Sequence, residues 1–95
     1  MNAYWTPNAE ADLAAIREFL SLRSVDRAND VTRALVARGD RALRQPFTGS
    51  IVEKYNDPAV REVFERPYRV IYRILADGID ILAVVHHARQ LPRKL

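Results

Sequence analysis

The most regular pattern of apolar and polar positions runs over residues 68–87. Residues 68–75 (Tyr-Arg-Val-Ile-Tyr-Arg-Ile-Leu) are β-branched, aromatic or basic, and 79–87 are almost wholly apolar up to a closing His86-His87, with Asp77-Gly78 between the two runs. Two strands joined by a tight turn make a β-hairpin, and Asp-Gly suits the positive φ angles such a turn demands, with Ala76 able to extend it. Alternation puts Tyr68, Val70, Tyr72 and Ile74 on one face and Arg69, Ile71 and Arg73 on the other. The second strand, apolar at nearly every position, predicts a central strand covered on both sides. By the same alternation His86 and His87 are expected to point to opposite faces at the rim of the sheet.

The rest of the chain organises around this hairpin. Ala3 to Thr6 reads as a short strand, and Thr6-Pro7 as a helix start, with the hydroxyl as N-cap and proline at the first helical position. Ala9, Leu13, Ile16 and Leu20 form one stripe at helical spacing, with Glu10 and Asp12 early and Arg17 and Arg23 late, the order the helix dipole favours. Ser24 is the expected N-cap of a second helix, whose buried side carries Val25, Ala28, Val31, Leu35 and, at its far end, Leu43. Asp26 and Asp30 lie in its early turns and Arg38, Arg41 and Arg44 in its late ones. Gly39 is expected to fray or bend that helix, and Pro46 ends it. Residues 47–50 are loop, Ile51 and Val52 anchor points, and 55–58 a turn cluster. Residues 60–64 form a third strand joined to the hairpin through Glu65-Arg66-Pro67. Residues 88–95, with Pro92 and the basic Arg93-Lys94, read as a loosely held tail.

The predicted order is therefore β-α-α-β-β-β in one α+β domain over 1–95. An antiparallel αα-hairpin packs on the tyrosine-bearing face of a mainly antiparallel sheet, the short first strand lies at an edge, and the arginine-bearing face is left free. The chain's 95 residues suffice for one core and no more. A formal charge of +3 and a pI near 9.7 favour acidic partners without choosing between protein and nucleic acid. There is no cysteine, hence neither a disulfide nor a thiolate metal site. No apolar run reaches the roughly 20 residues of a membrane span, and the first residues lack a charged start followed by an apolar segment. A cytoplasmic protein without a membrane partner is the expectation.

Several residues carry the resemblance to a known family. Trp5-Thr6-Pro7 with Ala9, Asp12-Leu13 and Ile16, the central run Tyr68 to Arg73, and Ile81 to His86 followed by Arg89 and Leu91-Pro92 resemble the RelE/ParE superfamily of bacterial type II toxin–antitoxin toxins. The likeness is closer to the ParE branch. It implies a toxin of the plasmid-stabilisation kind, neutralised by a cognate antitoxin whose C-terminal segment wraps it, with a dimer or a toxin–antitoxin hetero-oligomer as the assemblies to expect. ParE-like members are known for poisoning DNA gyrase, while RelE-like members cleave mRNA on the ribosome. A third reading is a decayed toxin that retains only antitoxin binding.

Cleavage of RNA through its 2′-hydroxyl needs a proton acceptor, a proton donor and cations for the phosphate. Arg69 aligns with an active-site arginine of the nucleases, and Glu62, Arg69 and His87 would be the acid/base set of a metal-independent endoribonuclease. Against this, the positions that carry lysines in RelE are Val60 and Glu62, and no tyrosine follows Tyr72. A non-catalytic, cofactor-free binder is therefore the favoured reading. Its candidate contacts to target or antitoxin are Arg61, Arg69, Arg73, His86, His87 and Arg89. A shared metal at His86-His87 is not expected, because neighbouring strand residues diverge.

Overall fold

The computed structural model describes residues 2–95. Strand β1 (Asn2–Trp5) leads into α1 (Pro7–Ser21) and α2 (Val25–Arg44), followed by the strands β2 (Ser50–Ile51), β3 (Val60–Glu65), β4 (Tyr68–Leu75) and β5 (Gly78–His86). Both helix starts follow from their caps. The Thr6 hydroxyl accepts from Ala9 N–H and the Ser24 hydroxyl from Arg27 N–H, which satisfies amides that the first turn leaves unpaired.

The sheet order is β1-β5-β4-β3-β2, with β1 parallel to β5 and every other pair antiparallel. The first strand takes an edge, as its shortness suggests, and its neighbour is the last strand of the chain. β2 adds a two-residue strand that the sequence pattern is too short to reveal. Leu82 is an extra residue in β5, because Ile71 pairs with Ala83 while Tyr72 pairs with Ile81. This bulge puts Ile81 and Val84, rather than alternate residues, on one face.

That face meets the helices. Val63, Tyr68, Val70, Tyr72, Ile79, Ile81 and Val84 pack with Ala9, Leu35 and Ala42, and Tyr72 is fully enclosed. Tyr72 donates its hydroxyl to the Pro46 carbonyl at 2.5 Å, which ties the end of α2 to the sheet. Gly39 does not break α2. The helix runs on through it, and a side chain there would press on the Trp5 indole (3.3 Å) and Ile81 (3.4 Å), so glycine serves close packing instead. Val25 departs from its expected burial. At the first position of α2 it is 56% exposed, and Phe19 and Leu22, near the same turn that joins the two helices, are exposed as well.

The β4–β5 turn also differs from the Asp77-Gly78 expectation. Leu75 pairs with Gly78, so the turn is Ala76-Asp77, and no glycine in the described chain has positive φ. Gly78 is needed for another reason: a Cβ there would collide with the Asn2 carbonyl of the adjoining parallel strand. The β3–β4 connection is Arg66-Pro67, with a cis peptide bond. Among the described residues no helix is long and apolar enough to cross a membrane.

Candidate functional site

Arg69 and Arg73 lie on the sheet face away from the helices, where strand alternation places them, but that face is not open. Val52, Val60, Ile71 and Ala83 form a second small core there, covered by Tyr55, Val85 and Leu91. Glu62 and Arg69 sit diagonally across β3 and β4 on this face, with Arg69 Nη1 3.4 Å from Glu62 Oε1 and both side chains about one-sixth exposed. Arg69 Nη2 donates to the Arg89 carbonyl at 3.0 Å, and its buried Nε finds no acceptor among the described residues. Arg73 is paired with Asp57. The Ala59 N–H, and then Arg73, hold the Asp57 carboxyl below its usual range. The expectation of a free cationic face is thus corrected, since the charges of both arginines are met by carboxylates that only the three-dimensional fold brings near.

The tail is likewise tied rather than loose as far as Pro92. Tyr55 donates its hydroxyl to the Pro92 carbonyl at 2.6 Å, Lys54 Nζ donates to the Leu91 carbonyl, and the Arg89 N–H reaches the His86 carbonyl at 2.9 Å. Burial pushes the Tyr55 phenol above its ordinary value, and the nearby Arg69 charge partly opposes this.

His86 and His87 do not diverge. Their rings stack with centroids 4.9 Å apart, because β5 ends at His86 and His87 already belongs to the following turn, where strand alternation no longer applies. His86 meets the Tyr68 ring edge-on, and its Nδ1 accepts from the Ala88 N–H at 3.1 Å. His87 is bonded to Pro67 through both its N–H and its Nδ1. Of the nuclease set, Glu62 and Arg69 are therefore brought together, while the partners of His87 are Pro67 and His86. Among the described residues no three His, Asp or Glu side chains gather as metal ligands. Arg61 lies on the helix side of β3, where its guanidinium holds the Pro58, Phe47 and Gly49 carbonyls and covers the Phe47 ring. Arg89 is exposed beside the end of β5.

A groove of about 740 Å³ opens between α1 and this end of β5, with Ile16, Phe19, Val84 and His86 among its walls. It exists because β1 accompanies β5 only as far as Ile81. Side chains at the start of α1 take over from there. Thr6 donates to the Ile81 carbonyl, Asn8 to the Leu82 carbonyl at the bulge, and Asp12 Oδ2 accepts the Val84 N–H at 3.0 Å. Burial pushes the Asp12 carboxyl above its ordinary range, and the Val84 bond pulls part of the way back.

The chain matches, over residues 3–91, the model of the ParE toxin of type II toxin–antitoxin systems, parDE. The chain belongs to the ParE toxin family. Among solved structures, this ParE-family chain is similar to the chromosomal ParDE toxin–antitoxin system from P. aeruginosa, with 26% identity, a TM-score of 0.75, and coverage of 90% of this chain and 95% of that one. No curated protein matches it. The ParE assignment and the α+β architecture thus agree with the resemblance read from the central hairpin. Reasoning from the sequence missed Lys54, Tyr55, Asn8 and Asp12. The only signals available were the turn cluster around Tyr55 and the acidic residue early in α1, which capping explains equally well.

Proposed function

We propose that this chain is the toxin of a type II pair, held inactive by a cognate acidic antitoxin and acting, when free, by binding DNA gyrase without chemistry of its own. The family match over 3–91 carries the toxin part of this reading. What favours a binder over a ribosome-dependent nuclease is the state of Arg69, whose charge is met by Glu62 and whose side chain is covered by the tail. A phosphate-holding arginine would need that charge uncompensated. Neutralisation is supported by the groove between α1 and β5, whose apolar walls and half-accompanied strand suit an antitoxin segment, and by the chain's net positive charge.

The test is made on one preparation of purified protein. Supercoiling by gyrase should be inhibited, cleaved gyrase–DNA complexes should accumulate, and an equimolar cognate antitoxin should reverse both. No effect on gyrase at stoichiometric excess, together with codon-positioned cuts in mRNA on ribosomes, refutes the proposal. Harmless accumulation of folded protein in bacteria lacking the antitoxin would indicate a toxin that has lost its activity.

A further inference from the structure

On the outer sheet face, three side-chain donors converge on the backbone of the tail. Arg69, Lys54 and Tyr55 donate to the carbonyls of Arg89, Leu91 and Pro92. Between those bonds the Leu91 side chain closes the small core of Val52, Val60, Ile71 and Ala83. The cradle is over-equipped for this occupant. An uncharged carbonyl faces a guanidinium, another faces an ammonium, and the buried Arg69 Nε–H has no acceptor at all among the described residues. A guanidinium edge that presents Nε and Nη2 together fits a two-oxygen anion, which a single carbonyl cannot match.

The geometry points to a peptide-binding site that the chain's own tail occupies as a stand-in: an extended acidic segment, with a carboxylate on Arg69 and an aliphatic residue in the Leu91 position, displaces residues 89–92. Charge selects a carboxylate over a phosphate diester chain. Glu62 lies 3.4 Å from Arg69 Nη1 and meets that charge, while Lys54, the other cation of the cradle, faces only the Leu91 carbonyl, so the cradle has room for a single further negative charge. The present occupant also shows that the surface takes main-chain carbonyls and one aliphatic anchor. Because tail and partner exclude one another, apparent affinity is reduced by the fraction of molecules in which the tail is docked. This inference concerns the outer-face contacts of residues 89–92, of which Arg89, Gln90 and Pro92 also line one side of the α1–β5 groove, and does not rest on the toxin reading.

The probe is a capped hexapeptide, Ser-Asp-Asp-Leu-Pro-Ser, which keeps the Leu-Pro of the tail and places aspartate where the Arg89 carbonyl now lies. It is titrated into the full chain and followed by NMR at the Arg69 Nε–H and the Leu91 methyl groups. Binding should shift the Arg69 signal and move the Leu91 methyls to the positions of an undocked tail. Leu91→Ser, which loosens the competitor, should tighten the peptide by about fivefold or more. Arg69→Lys, which keeps the charge and removes the fork, should weaken it at least about tenfold. If Arg69→Lys lowers the folded fraction, Tyr55→Phe takes its place. That variant removes only the hydroxyl that holds Pro92, and the Leu91 methyls should then show partial release. The inference is overturned if the Asn-Asn version of the peptide binds equally well, if the acidic peptide binds with Leu91 still docked, or if Leu91→Ser brings no gain. It is also overturned if a six-nucleotide single-stranded RNA releases the tail where the peptide does not.

Discussion

Replacing Tyr72 with phenylalanine tests how α2 and the loop after it are fastened to the sheet. The ring is completely buried, its hydroxyl donates to the Pro46 carbonyl, and the Gly49 backbone packs so tightly against the oxygen that a Cβ at Gly49 would overlap it. Phenylalanine keeps the ring and its contacts but leaves polar backbone unpaired where water has little access, a loss of roughly 1–3 kcal/mol. For a domain of this length each kcal/mol moves the melting temperature by roughly 4–8 °C, so a central loss of about 2 kcal/mol lowers it by about 8–16 °C. Urea and thermal unfolding followed by circular dichroism measure this. Alkaline pH supplies an independent check. Burial raises the Tyr72 phenol above its ordinary value, so the native chain holds that proton more tightly than the unfolded chain. The stabilisation is complete below about pH 10, the ordinary phenol value, and is lost as pH climbs from there through the native value. Tyr72→Phe should flatten that alkaline decline, leaving the part that Tyr55 contributes. A melting temperature within about 2 °C of the parent, or an unchanged alkaline slope, would refute the reasoning.

Three further outcomes follow from the edges and turns of the sheet. Asp12→Ala should cost about 1–2 kcal/mol in urea unfolding, because Val84 N–H loses its acceptor, while Asp12→Asn, which keeps an acceptor and removes a partly buried charge, should match or exceed the parent at pH 7; equal losses in both would show that the Val84 bond is not what matters. Gly78→Ala should push β1 off β5, lowering stability by about 1–3 kcal/mol and shifting Trp5 fluorescence to the red, and an unchanged emission maximum counts against the close approach to Asn2. Asp57 is held below the ordinary carboxylate range, so its contribution is present above about pH 4 and disappears as pH falls through the native value; Asp57→Asn should flatten the acid limb of the stability profile, and identical acid limbs would dismiss the role given to Ala59 N–H and Arg73.

What could be read from the sequence was whatever local periodicity and capping decide. Thr6-Pro7 and Ser24 start their helices because a hydroxyl's preference for exposed amides is a short-range effect, and along Tyr68 to Arg73 strand alternation assigns each side chain to its face. Where several elements meet, local rules gave way. The positive-φ preference of glycine suggested Asp77-Gly78 as the turn, whereas Gly78 answers to a strand that lies 76 positions earlier in the chain. Alternation failed at His86-His87 because the strand stops between them, and at Ile81 to Ala83 because one residue bulges. Arg69 and Arg73 were assigned to the correct face, but their partners Glu62, Asp57 and the Arg89 carbonyl are non-local, and no pattern along the chain announces them.

The parallel pairing of β1 with β5 also imposes an order on folding. Asn2 to Trp5 stand 76 positions ahead of their hydrogen-bonding partners, Gly78 to Ile81, and the contacts of Thr6, Asn8 and Asp12 wait on the same strand. Until then β1 has no strand to pair with, and the apolar stripe of α1 has only α2, not the sheet, to rest on. The sheet therefore cannot close along its β1 edge before β5 has been made, however early the first strand and both helices leave the ribosome.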